Sequence, residues 1–261
     1  MRLPRLALAL LLPLLLVACV STPERNRGAF VERSIDIDGK PHRYQVFVPA
    51  TQPAGRRPAV LLFLHGSGER GSDGDKQTRV GIGPYLRAHM DDFPAIVVMP
   101  QAPDDTEWSD NLPLALGTLD AATREFHGDT ARTYLSGMSM GGYGTWELAL
   151  HAPQRFAALV PVCAGLVHPR RPSMSVRAVA GLDDPYAAAA ARLKHIPIWQ
   201  FHGAKDDVVL PEYSRRMDAA LKAAGAAEAR YTEFPDANHN SWDPAYSHTP
   251  ELWTWLFAQR R

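Results

Sequence analysis

From about residue 30 the chain carries a regular hydrophobic pattern. Residues 31–37 alternate apolar and polar side chains, Asp38-Gly39 follows, and residues 42–48 alternate again. Two alternating runs joined by Asp-Gly predict an antiparallel hairpin, because both turn residues need positive φ and this pair adopts it at low cost. The next runs differ in kind. Ala59–Leu64 (AVLLFL) and residues 95–99 (AIVVM) are apolar throughout. A strand without a polar face is one covered on both sides, as in a parallel sheet. Residues around 133–135, then 156–162, 196–201 and 230–234, complete eight strand candidates. Helical patterns lie between them at about 76–89, 112–126, 142–151, 212–224 and 249–259. This alternation predicts an α/β fold, a mostly parallel sheet with helices on both faces. No repeat or linker divides residues 30–261, so they read as one domain. Residues 164–194 interrupt the alternation, loop-like at first and then short-helical around an alanine run. Beside the C-terminal edge of a sheet, such an insertion is either functional or a plain surface excursion.

The first residues obey a different rule. Arg2 and Arg5 precede an apolar stretch, residues 6–17, interrupted only by Pro13. That is a positive n-region and an export core, short for a membrane span. Leu16-Val17-Ala18-Cys19 resembles the bacterial lipobox, the alternative being an ordinary signal peptide with an incidental Cys. The resemblance implies cleavage after residue 18, lipidation of Cys19 and a tether over 19–29. It also implies attachment to a membrane of the cell envelope, with Val20 favouring the outer membrane. More than one acyl chain would make such attachment stable.

Charge then narrows the partners. The 261 residues hold 28 Lys+Arg and 28 Asp+Glu. Residues 1–18 contain two of those arginines and no acid, so the chain from Cys19 has 26 basic and 28 acidic groups. A near-neutral balance argues against nucleic acid as partner. Cys163 closes an apolar run and reads as a small buried hydrophobe, not a nucleophile.

The chemistry gathers at three loops. Gly137-Met138-Ser139-Met140-Gly141 is G-x-S-x-G between a strand and a helix. A serine on so tight a turn is strained, and its flanking positions leave no room for side chains. A serine nucleophile needs a base, and the base an orienting carboxylate. Asp206 and Asp207 follow the seventh strand candidate, and His239 follows the eighth. The order Ser139, Asp206, His239 is that of α/β-hydrolases and not of the chymotrypsin or subtilisin types. Gly66-Ser67-Gly68-Glu69-Arg70-Gly71 also matches a dinucleotide fingerprint, but the loop continues through Ser72-Asp73-Gly74 where a helix should open. Neither a metal nor an organic cofactor is expected.

With LLFLHGSGERG, GMSMGGYGTW, FHGAKDDVV and NHNSWDPAY in this order, the chain resembles α/β-hydrolases over roughly residues 30–259. It is similar to the esterase, dienelactone-hydrolase and prolyl-oligopeptidase-like group, in particular its predicted-peptidase or carboxylesterase branch. The resemblance implies Ser139 as nucleophile, His239 as general base and acid, and Asp206 as orienter. It also implies an oxyanion hole from the backbone amides of Ser67 and Met140. Trp108 and Trp242 are candidates for the pocket wall, with core packing as the alternative for each. His65, Glu69 and Arg70 read as loop-organising residues. The expected activity is hydrolysis of small-molecule or polysaccharide-linked carboxylic esters. A prolyl-oligopeptidase-like peptidase and a non-catalytic envelope binding protein are the competing readings.

Overall fold

The computed structural model describes residues 27–50 and 55–261. The expected export segment 1–18 and Cys19 therefore lie outside the described residues. The end of the expected tether lies inside them: the Gly28 amide donates to the Met90 carbonyl at 2.6 Å, and Arg27 pairs with Asp91 at 3.2 Å.

The hairpin forms where the alternation placed it. Strands β1 (Ala29–Ile37) and β2 (Lys40–Val48) pair antiparallel across Asp38 and Gly39, whose φ angles are 53° and 76°. Six further strands follow: β3 (Ala59–Leu64), β4 (Ala95–Pro100), β5 (Thr133–Met138), β6 (Ala158–Val162), β7 (Ile198–Gly203) and β8 (Ala229–Phe234). They form one eight-stranded sheet in the order β1-β2-β4-β3-β5-β6-β7-β8, parallel from β4 to β8.

Period-two geometry explains the apolar runs. Along β3, Val60, Leu62 and Leu64 point into one core, while Leu61 and Phe63 point into the other. One face is covered by α2 (Leu112–Glu125), α3 (Met140–His151), α4 (Pro185–Leu193) and α5 (Glu212–Ala223). The other carries α1 (Ile82–Ala88), α6 (Trp242–Ser247) and α7 (Pro250–Ala258). Among the described residues no helix is long and apolar enough to cross a membrane.

Two helix expectations change. The pattern at 76–89 is broken into a single 3-10 turn, Lys76–Thr78, and then α1. The first piece ends at Arg79, Gly81, with φ of 69°, starts α1 in a new direction, and Asp73 Oδ1 draws the amides of Asp75 and Lys76 into a local turn. The six-residue α6 was not expected. It is too short for periodicity to show and has Pro244 in its first turn, where a missing N–H costs nothing.

The 164–194 segment packs as part of the fold. Leu166, Met174, Val176 and Val179 are buried in the core that also holds α3. Asp184 caps α4 by accepting from the Tyr186 and Ala187 amides.

Candidate active site

The C-terminal ends of β3, β5, β6, β7 and β8 bring the three sequence motifs together. Ser139 occupies the turn between β5 and α3 with φ of 52° and ψ of −119°. An L-residue pays for that conformation in strain, so the surroundings must impose it. They do so by proximity. A Cβ on Gly141 would meet the Leu64 carbonyl oxygen at 1.9 Å, and one on Gly137 would meet the Gly141 carbonyl oxygen at 2.2 Å. The Ser139 amide is fixed to the Val162 carbonyl at 2.9 Å. The two glycines of the motif are thus required by backbone packing, and the serine is thrust above the sheet.

The other two residues are held by side-chain bonds. His239 Nε2 lies 2.9 Å from Ser139 Oγ, and its Nδ1 lies 2.8 Å from Asp206 Oδ2. A carboxylate only accepts, so Nδ1 carries the ring proton and Nε2 is left to accept from the serine hydroxyl. Asp206 Oδ1 accepts from the Val208 and Val209 amides, both at 2.9 Å. Burial by itself would push the Asp206 pKa up. Bonds from His202, His239 and the Val209 amide outweigh it and hold this carboxyl well below the usual carboxylate range. Asp207 faces outward and does not reach His239.

His202 was not singled out by its sequence position. It is the fifth residue of β7 and fully buried. Its Nε2 lies 3.2 Å from Asp206 Oδ2 and 2.8 Å from the Val209 carbonyl. Both neighbours are acceptors, so Nε2 bears a proton and Asp206 Oδ2 receives from two imidazoles. Nδ1 is 2.7 Å from the Ser214 hydroxyl of α5, itself 3.1 Å from the Ala164 carbonyl. The available signal was its place directly before Gly203 in FHGAKDDVV. Cys163 completes the surroundings: its sulfur, Asp206 and His239 offer atoms all within 4.8 Å of one another. Burial, and then the nearby Asp206, push its thiol far up, so it stays a protonated thiol.

The loop after β3 lies against the serine. A Cβ on Gly66 would stand 3.7 Å from the Ser139 Cβ. Ser67 opens a 3-10 turn, Ser67–Glu69, and Met140 is the first residue of α3. Both amides therefore belong to first turns, where N–H groups lack intrahelical partners. His65 staples this loop: its Nε2 accepts from the Ala102 amide at 2.9 Å, and its Nδ1 donates to the Gly66 carbonyl at 2.6 Å. Burial lowers its pKa to about 4, so it is neutral near pH 7. Arg70 pairs with Glu107 at 2.7 Å and donates to the Thr106 carbonyl at 2.5 Å. Gln101 ties the same loop by accepting from the Gly74 amide at 2.7 Å.

The two tryptophans take different places. Trp108 is 2% exposed, donates its indole N–H to the His65 carbonyl at 3.0 Å and packs on Gly144. It supports the loop from below. Trp242 meets the His239 ring edge-on, centroids 5.6 Å apart, at the start of α6. The cavity that contains Ser139, about 420 Å³, is lined by neither. His168, Arg170, Arg171 and Met174 line it together with Asp207, Val208 and Val209. A larger cavity of about 680 Å³ lies by the β1–β2 hairpin and does not include the serine.

Residues 37–259 match the family described as "Putative esterase". A poly(3-hydroxyoctanoate) depolymerase of Pseudomonas fluorescens is 30% identical over 207 residues, which cover 70% of this chain and 68% of that one. A bifunctional acetylxylan esterase/xylanase of Neocallimastix patriciarum is 27% identical over 152 residues, 55% of this chain. The chain spans only 12% and 19% of the length of the first curated relatives it matches. A solved structure described as a thermostable esterase superposes with a TM-score of 0.71 at 30% identity, over 89% of this chain and 63% of that one.

Proposed function

The chain belongs to the esterase family, and from that premise we propose that it is a serine hydrolase cleaving carboxylic esters. The observation that carries the reading is the hydrogen-bonded chain from Asp206 through His239 to Ser139, on a strained turn between strand and helix. Ser139 Oγ attacks the acyl carbonyl while His239 Nε2 takes its proton. The oxyanion that forms is met by the Ser67 and Met140 amides, donors already oriented before charge develops. The C–O bond to the alcohol then breaks, and His239 returns the proton to the leaving oxygen. Water, deprotonated by the same nitrogen, attacks the acyl-enzyme and frees the acid. Asp206 stays ionised throughout and holds the imidazole in the required tautomer.

Substrates named for the relatives span polyester and acetylated polysaccharide. Both fit a short or medium acyl group on a larger alcohol. Lipidation at Cys19 would place the enzyme in the cell envelope, at the outer membrane, where such polymers are met.

A fluorophosphonate probe on the soluble form lacking residues 1–19, with 4-nitrophenyl acetate and butyrate turnover, tests the reading. Labelling and turnover are expected, and both should disappear in Ser139→Ala. Turnover that survives that change would overturn it. Cys19→Ser should release the protein from membranes, and continued retention would remove the lipid anchor.

A further inference from the structure

Two arginines of the 164–194 segment line the cavity that contains Ser139, and they are not equivalent. Arg171 lies 3.3 Å from Glu107, which also sits 2.7 Å from Arg70. Its charge is shared within a partly buried cluster. Arg170 meets only backbone: its guanidinium donates to the Val208 carbonyl at 3.2 Å and the Asp207 carbonyl at 3.4 Å. Among the described residues it forms no ion pair with a carboxylate. Its planar fork of donors therefore stands at the wall of a reactive cavity with bonding capacity to give.

The rest of that wall defines what could bring the missing anion. Met174 and Val209 are buried, and Val208 leaves 49% of its surface exposed. That is an aliphatic strip beside the guanidinium. His168, on the same wall, is drawn below its ordinary pKa by burial and then by Arg171 and Arg170, so it contributes no further cation at neutral pH. Asp207 adds one exposed negative charge to the cavity rim. Arg170 and Asp207 balance, and the Arg70–Glu107–Arg171 cluster keeps one net positive charge, which suits a monoanion and disfavours a dianion such as a phosphate monoester.

We infer that the cavity selects esters bearing a free carboxylate at the end of a short aliphatic segment, with Arg170 as the carboxylate's partner. The inference rests on the ester-hydrolase reading and adds the substrate class. The carboxylate is attached on the acyl side, as in a half-ester of a dicarboxylic acid, or on the alcohol side, as at the end of a hydroxy-acid oligomer. Arg170 is a specificity-determining residue and takes no part in the bond changes.

Two matched pairs test it on the full chain. 4-Nitrophenyl hydrogen glutarate against 4-nitrophenyl pentanoate probes the acyl side. 3-Butanoyloxybutanoate against 3-butanoyloxybutanamide probes the alcohol side. In one pair the anionic ester should have kcat/KM roughly tenfold higher, carried by KM, since a charge-assisted bond contributes on that order. Arg170→Gln should bring that ratio to about one, Arg170→Lys should keep part of it, and Asp207→Asn should raise it. A ratio of one or below in both pairs, or a preference that survives Arg170→Gln, overturns the inference. If the neutral esters turn over without preference, only this inference falls. If none of the four esters is hydrolysed, the ester-hydrolase reading falls and takes this one with it.

Discussion

The two halves of the site are positioned by opposite means. Ser139 is held by what is absent: no side chain fits at Gly137 or Gly141, and the backbone of β3 closes over the turn. Asp206 and His239 are held by what is present, a set of hydrogen bonds that reaches back through His202 and Ser214 to α5. The steric half fails abruptly, because overlap with a carbonyl oxygen leaves nothing to adjust. The bonded half should fail by degrees, one donor at a time.

The sharpest test of the bonded half is Asp206→Asn. It leaves the shape but removes the acceptor that fixes the His239 tautomer, and kcat should drop by about 10⁴-fold. Side-by-side turnover of Asp207→Asn should change by less than about threefold on neutral esters, its carboxylate being exposed. A reversed pattern would move the acid to Asp207. The steric half is tested by Gly141→Ala, expected to destabilise by about 3 kcal/mol or more in urea unfolding. Unchanged stability there would refute the packing account of the turn.

A pH test reaches the loop that packs against the steric half. His65 folds with a pKa lowered from 6.5 to about 4. Between those values the unfolded chain binds a proton that the native state refuses, so stability is full above pH 6.5 and is lost as pH falls toward 4. Integrated over that window the loss is roughly 3 kcal/mol. Urea unfolding at pH 7.5 and 4.5 measures it. In a stable His65→Asn variant the part of the slope belonging to His65 should vanish. A milder effect than that of Asp206→Asn is expected for His202→Gln, about a tenfold fall in kcat, with acid inactivation shifted to higher pH because Asp206 loses a donor. A stability change without any shift of the pH profile would make His202 a packing residue only.

The sheet was legible because burial on both faces writes itself as unbroken apolar runs, and β3 and β4 are the plainest examples. The three loops were legible because each follows a strand candidate by a few residues, although β8, before His239, is an edge strand with polar positions. What was hidden depended on direction or distance in space. Trp108 follows β4 in a loop at the C-terminal edge of the sheet, yet its indole turns inward to the His65 carbonyl. His202 reads as the tail of a strand, and its meeting with Asp206 needs the bend after Gly203. The first half of the 164–194 segment lacks periodicity because it is a loop folded on itself, the Val176 amide reaching back to the Leu166 carbonyl and the His168 amide to the Ser175 hydroxyl.

The hairpin also settles a matter of bearing. Its turn at Asp38-Gly39 lies toward the C-terminal edge of the sheet, the edge with Ser139, since β2 pairs Tyr44 with Pro100 at the end of β4. Ala29 pairs with Val48 at the far end of the same nine-residue strand, roughly 30 Å away at the usual rise. The backbone enters the domain there, clasped by Met90 and Asp91. Arg27 therefore lies at the opposite edge of the sheet from Ser139, so the described chain begins on the side away from the catalytic loops.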